Sequence, residues 1–171
     1  MPEGESVLNT MRTNTHRLIR SPLLALGLLI IVAGTALATP ASNFVGTLTS
    51  RATLGESIHF NTGAVKLQTK EPVDFITATV AIAAGGTSGW HSHPGIVLVS
   101  VVSGTLTFYD AACVGTVYAA GSSFVESGDV PGLVRNEGTT AASVFATYLV
   151  PAGTPNSALR VDAANPGCPQ S

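Results

Sequence analysis

The chain has 171 residues, 45% of them hydrophobic and only 11% charged, with 8 Lys+Arg against 10 Asp+Glu for a formal net charge of −2. So few charges, against the roughly 25% of an ordinary soluble domain, supply no basic field for a nucleic-acid backbone and no polybasic or acidic tail. The length suits one domain.

Residues 1–38 read as an export signal. Met1 to Arg20 is polar, with positive charges at Arg12, Arg17 and Arg20, and Ser21 to Thr39 carries no charge. The most apolar stretch, Leu23 to Val32, is shorter than the roughly 20 residues a spanning helix prefers. Ala36-Leu37-Ala38 has the small-x-small pattern of a cleavage site, so cleavage is expected after Ala38. The alternative is an uncleaved anchor formed by residues 21–39, with the positive flank in the cytoplasm. Either way the remainder is exported to the cell envelope or beyond. Cleavage would remove three of the eight basic and two of the ten acidic residues, leaving 5 against 8 and a net charge of −3.

After Thr39 helical periodicity is absent. The segment 39–62 is small, polar and Gly-containing and reads as an arm; 63–151 reads as one β domain, and 152–171 as a tail. Short runs rich in Val, Ile, Thr, Phe and Tyr recur between glycines. The expected strands are Ala64–Thr69, Phe75–Ala83, Ile96–Val102, Thr105–Asp110, Thr116–Ala119, Ser123–Val125, Leu133–Asn136 and Ala142–Val150. Expected turns are Gly85-Gly86, Ser103-Gly104, Ala120-Gly121 and Asn136-Glu137-Gly138. Eight strands is the jelly-roll count, so the fold class is all-β, a single jelly-roll barrel. The two cysteines, Cys113 and Cys168, are expected to form a disulfide, because the tail around Cys168 has no apolar periodicity to hold it and export provides an oxidising compartment. Two free thiols are the weaker alternative, since no Cys-x-x-Cys spacing is present.

His91 and His93 are one residue apart. On a strand, positions i and i+2 face the same side, so both imidazoles project into one space. The stretch Gly85-Gly86-Thr87-Ser88-Gly89-Trp90-His91-Ser92-His93-Pro94-Gly95 resembles the first motif of the cupins, and Gly121 to Asn136 resembles the second. The resemblance implies a jelly-roll barrel and a metal held by three His and one Glu. His91 and His93 match two of these ligands; counting through the motifs, the Glu position falls on Val97 and the third His on Gly132. A third ligand could come from Glu126 or Asp129, the carboxylates near the altered loop, or from His59.

Val97, Val99 and Val101 are expected to share the inward face with the pair, giving an apolar cavity with a polar centre. Trp90, Val97 and Tyr109 are the expected ligand contacts beside His91 and His93; the alternative for the aromatic pair is barrel packing. Neither a nucleophile elbow nor a phosphate-cradling loop is present. Three functions remain open: a binding module for a small molecule without metal; a metal-dependent enzyme of the oxygenase, isomerase or decarboxylase type using Mn, Fe, Zn or Cu; and a structural envelope protein. A homodimer paired through the sheets is compatible with each.

Overall fold

A computed structural model describes residues 38–170. The expected signal segment, apart from Ala38, lies outside the described residues. Among the described residues no helix is long and apolar enough to cross a membrane.

The chain folds as strands β1 (Ser42–Leu54), β2 (His59–Asn61), β3 (Lys66–Gln68), β4 (Val73–Thr87), β5 (His91–Ser92), β6 (Ile96–Ser103), β7 (Thr105–Tyr109), β8 (Gly115–Ala119), β9 (Ser123–Ser127), β10 (Leu133–Arg135) and β11 (Ala142–Pro151). A 3₁₀ turn, Asn156–Ala158, and a short strand β12 (Val161–Asp162) complete the order. The main sheet runs β8-β7-β10-β4-β11-β6-β9, with β1 added to β4, and β12-β5 and β2-β3 form two small sheets. The two ends of the main path meet: the rings of Tyr118 on β8 and Phe124 on β9 lie 4.7 Å apart. The sheet is therefore curled into the all-β jelly roll that the strand count implies.

Alternation builds the interior. Ala78, Val80 and Ile82 of β4, Val97, Val99 and Val101 of β6, and Ala142, Val144 and Ala146 of β11 are all buried in one cluster with Leu106, Phe124 and Val134. Their neighbours along each strand include the exposed Leu98 and Phe145. This is the period-two pattern of a sheet with one solvated face.

Three local expectations change. The arm contains β1, a 13-residue strand that pairs with β4 from Leu54↔Val73 to Ser42↔Thr87. Apolar periodicity fails to signal β1 because it lies almost wholly exposed, and polar contacts assist the backbone ladder. Thr49 and Ser50 hydroxyls each lie 2.8 Å from the Thr77 hydroxyl, and Thr53 donates to Asp74 at 2.7 Å. Gly85-Gly86, expected as a turn, lies inside β4, where the strand leaves β11 and reaches β10 at Thr87↔Arg135. Gly85 has φ +71°, and a Cβ on Gly86 would sit 2.6 Å from the Asn43 carbonyl oxygen, so the bend admits glycine alone. The expected strand Ser123–Val125 continues to Ser127, which brings Glu126 onto the inward face beside Phe124.

The tail is anchored throughout. Cys113 and Cys168 are bonded, and Cys168 packs with Trp90, Tyr109 and Leu133. β12 pairs with β5, the Ala163 N–H donates to the Trp90 carbonyl at 2.9 Å, and the Trp90 indole N–H donates to the Gln170 carbonyl at 3.1 Å. Removing the bridge by Cys113→Ser with Cys168→Ser is expected to destabilise the fold by about 4 kcal/mol in the loop-entropy description; an unchanged denaturation midpoint would contradict this.

Asp74 ties β1 to the turn after β11. It accepts from Thr53, from the Arg51 guanidinium at 2.8 Å and from the Gly153 N–H at 2.9 Å. The Thr53 hydroxyl chiefly, with Gly153 and Arg51, holds its carboxyl below the ordinary value of 3.8. Its stabilising contribution is therefore complete above that value and is lost as pH falls through the lower folded value. Asp74→Asn should lower the melting temperature at pH 7, with the gap to wild type closing on acidification below pH 4; a gap independent of pH would contradict the assignment.

Candidate metal centre

His91 lies on β5 and His93 follows it, in a segment pinned on both sides. His91 and Gly132 exchange backbone hydrogen bonds of 2.9 and 3.0 Å, and the His93 N–H donates to the Gly128 carbonyl at 2.9 Å. Both rings are buried, with centroids 4.8 Å apart at an interplanar angle of 88°. Glu126 approaches from β9. The ligating atoms of His91, His93 and Glu126 all lie within 4.8 Å of one another.

Hydrogen bonding sets the tautomers. His91 Nδ1 lies 2.9 Å from the Gly89 carbonyl oxygen, and His93 Nδ1 lies 2.6 Å from that of Leu159. A carbonyl only accepts, so each Nδ1 carries the proton and each Nε2 of a neutral ring presents a lone pair. Both lone pairs meet a carboxylate: His93 Nε2 is 3.0 Å from Glu126 Oε2, and His91 Nε2 is 4.0 Å from Glu126 Oε1. Two acceptors at 3.0 Å repel unless a proton or a cation lies between them. Glu126 Oε1 is buried without a hydrogen-bond partner.

The chemistry of the donor set fits a divalent metal, and the His93–Glu126 pair already has the spacing of two bound donors. Donors at ~2.1 Å from one ion and at right angles to each other are ~3.0 Å apart, the separation found between His93 and Glu126. Backbone carbonyls on the far nitrogens are the outer-shell support that metal-ligating histidines normally have. Burial holds the His91 imidazole below its ordinary value of 6.5, against the opposing pull of Glu126, so the ring is neutral and available as a ligand near neutrality. Burial likewise pushes the nearby Tyr148 hydroxyl up to about 12, keeping it protonated.

The altered motif positions now have physical explanations. Val97 and Glu126 are register partners across β6 and β9, and both are buried on the inward face. The acid absent from position 97 is therefore supplied by the residue directly opposite it, where paired Cβ atoms lie ~5 Å apart. Position 132 cannot supply a ligand without rearrangement. A Cβ on Gly132 would lie 2.5 Å from the Phe108 ring, which occupies the space a larger side chain would need.

The cavity at the centre has a volume of about 50 Å³ and is lined by Phe44, Val80, Ile82, Ser88, Val99, Val134, Val144, Ala146, Tyr148 and Arg160 together with the two histidines and Glu126. Among the expected ligand contacts, Trp90 and Tyr109 lie outside this lining, packed with Leu133 against Cys168, and the Tyr109 hydroxyl donates to Glu137 at 2.6 Å. Val97 belongs to the barrel core and is also outside the lining. Asp129 and His59 are exposed and outside the ligating group. Phe44 and Arg160 join the lining without a signal in the sequence, and Tyr148, an amphipathic side chain whose default is barrel packing, lines it as well. Alternation along β11 places Tyr148 inward, whereas Arg160 in an aperiodic tail gives no comparable signal.

A family model for the cupin domain matches residues 78–154. No curated protein matches the chain. Among solved structures, an uncharacterised protein with a double-stranded β-helix domain from Klebsiella pneumoniae is 19% identical, with 64% of this chain and 86% of that one covered and a TM-score of 0.46. The cupin domain of an XRE-family transcriptional regulator from Enterobacter cloacae is 17% identical, with 64% and 97% covered and a TM-score of 0.44. An oxalate oxidase is 24% identical, with 46% of each chain covered and a TM-score of 0.40. Residues 78–154 thus match the cupin domain model, and the jelly-roll architecture and the His-x-His motif agree with that match.

Proposed function

We propose that this chain is an exported cupin that holds one divalent transition metal through His91 Nε2, His93 Nε2 and Glu126 and offers it to a small molecule in the barrel. The observation that carries this reading is the convergence of two fixed Nε2 lone pairs on a buried carboxylate with one unpartnered oxygen. Two histidines and a carboxylate are a donor set used by zinc and by non-haem iron; manganese and copper belong in the same test. Three protein ligands leave coordination positions open. A bound metal would act there as a Lewis acid or redox centre.

The residues of the chain divide the remaining work. The Gly89 and Leu159 carbonyls orient the imidazoles, the valine-rich wall excludes bulk water, and the cavity of about 50 Å³ restricts any ligand to a few heavy atoms. Export is supported by the signal-like residues 1–38 and by the Cys113–Cys168 bond. The second reading is metal-free binding of a small molecule around the same histidines. It is favoured by the largely apolar lining, with a proton shared between His93 and Glu126 in place of a metal.

Untagged protein incubated in turn with manganese, iron, zinc and copper is expected to retain about one metal ion per chain with at least one of them. Glu126→Gln should weaken retention more than about 100-fold, beyond the loss that follows removal of an outer-shell group. Moving the acid across the ladder, by Val97→Glu with Glu126→Val, should restore most of it. Protein left empty by all four metals would overturn the metal reading in favour of the metal-free one.

Metal uptake also has a proton signature. Burial keeps His91 neutral near pH 7, so its coordination releases nothing, whereas a proton held in the 3.0 Å contact between His93 Nε2 and Glu126 Oε2 would be displaced by the metal. Titration calorimetry in buffers of different ionisation enthalpy should show about one proton released per metal, with affinity falling as pH decreases. Release of two protons, or of none, would contradict the shared-proton description.

A further inference from the structure

We propose that Arg160 forms, with the metal centre, a subsite for a small monocarboxylate, so that the ligand class of the barrel is a monoanion of formate to acetate size. This rests on the metal reading for its full charge balance, and on Arg160 for its selectivity.

Arg160 enters the cavity from the tail. It follows Leu159, whose carbonyl orients His93, and precedes β12, whose residues Val161 and Asp162 pair with Ser92 and His91. The same short segment thus sets a ligand's orientation and delivers a guanidinium to the wall. One terminal nitrogen donates to the Ser88 carbonyl and the other to the Asp162 carboxylate. The Nε atom is buried and has no hydrogen-bond partner. A buried charged donor without an acceptor is costly, and the cavity shared with His91, His93, Glu126 and Tyr148 is where an acceptor can enter.

Charge counting selects the sign and magnitude of the ligand. Arg160 and Asp162 balance each other. A divalent ion held by the two histidines and Glu126 would leave, with that carboxylate, one positive charge in a buried cavity, which a single negative charge neutralises. One carboxylate oxygen would take an open position on the metal and the other would face Arg160 Nε. Tyr148, held protonated by burial, adds a neutral hydroxyl to the lining rather than a competing negative charge. The volume of about 50 Å³ and the wall of Val80, Val99 and Val144 favour a small carboxylate with a short apolar end over the larger, more highly charged phosphate.

The test is calorimetric titration of acetate, with acetamide as the neutral isostere and phosphate as the alternative oxyanion, into zinc-loaded and metal-free full-length protein. Zinc-loaded wild type should bind acetate at least about tenfold more tightly than acetamide or phosphate. Arg160→Gln should weaken acetate at least about tenfold, the scale expected for a lost charge-assisted hydrogen bond, while zinc content and the disulfide are unchanged. Arg160→Lys, which keeps the charge and is the less disruptive change, should recover part of the loss. Acetate affinity equal in wild type and both Arg160 variants, or acetate no tighter than acetamide, would overturn the subsite. Phosphate binding tighter than acetate would overturn the assignment to a carboxylate. Should zinc fail to load, the metal-free titration decides the subsite: Arg160-dependent acetate binding sustains it, and none overturns it.

Discussion

The contact between His93 Nε2 and Glu126 Oε2, 3.0 Å long and buried, is the constraint around which the barrel interior is organised. With the Leu159 carbonyl fixing the proton on Nδ1, the imidazole has only a lone pair to offer an anionic oxygen, and this arrangement needs a proton or a cation between the two atoms. Everything near it acts to keep that arrangement in place. β9 carries the acid, β5 carries the histidine pair, and the C-terminal segment closes over the rings as a strand and a carbonyl clamp. The disulfide and the Trp90 cluster hold that segment down. A tail that has no apolar periodicity is thereby part of the site rather than an appendage to it.

The site also shows how a ligand set can change position without a change of fold. Metal coordination depends on where donor atoms lie, not on which strand supplies them. Positions 97 and 126 are opposite each other on antiparallel strands and point the same way, so exchanging valine and glutamate between them preserves the acid's location to within one cross-strand spacing. The loss at position 132 is of another kind, because Phe108 occupies the adjoining space. The metal position proposed above would thus have three protein ligands and open coordination positions.

Much of this was legible in the sequence, for identifiable reasons. The strands with one buried face, such as Ile96–Ser103 and Ala142–Pro151, announce themselves by alternation, and the shared side of His91 and His93 follows from spacing alone. The disulfide follows from a pair of cysteines with one in an otherwise unheld tail. What remained hidden lacks a one-dimensional signal. β1 is exposed along almost its whole length and so carries no apolar rhythm. Glu126 was one of three candidate third ligands, and only the register of β6 on β9 brings it, rather than Asp129 or His59, beside the histidine pair. Trp90 and Tyr109 looked like ligand contacts because they are large and amphipathic, yet their packing partner is the disulfide. Arg160 reaches the cavity through a tail whose course is fixed by long-range pairing.

The scarcity of charge, 11% of the chain, gains a local meaning here, since Glu126 and Arg160 both line the small interior cavity. The central claim is that His91, His93 and Glu126 converge on one metal position, and anomalous diffraction from crystals soaked in turn with manganese, iron, zinc and copper tests it most directly. The account predicts a peak about 2.0–2.2 Å from His91 Nε2, His93 Nε2 and a Glu126 carboxylate oxygen. Soaked crystals with no anomalous density between these three side chains, or with density only at surface carboxylates, would contradict it.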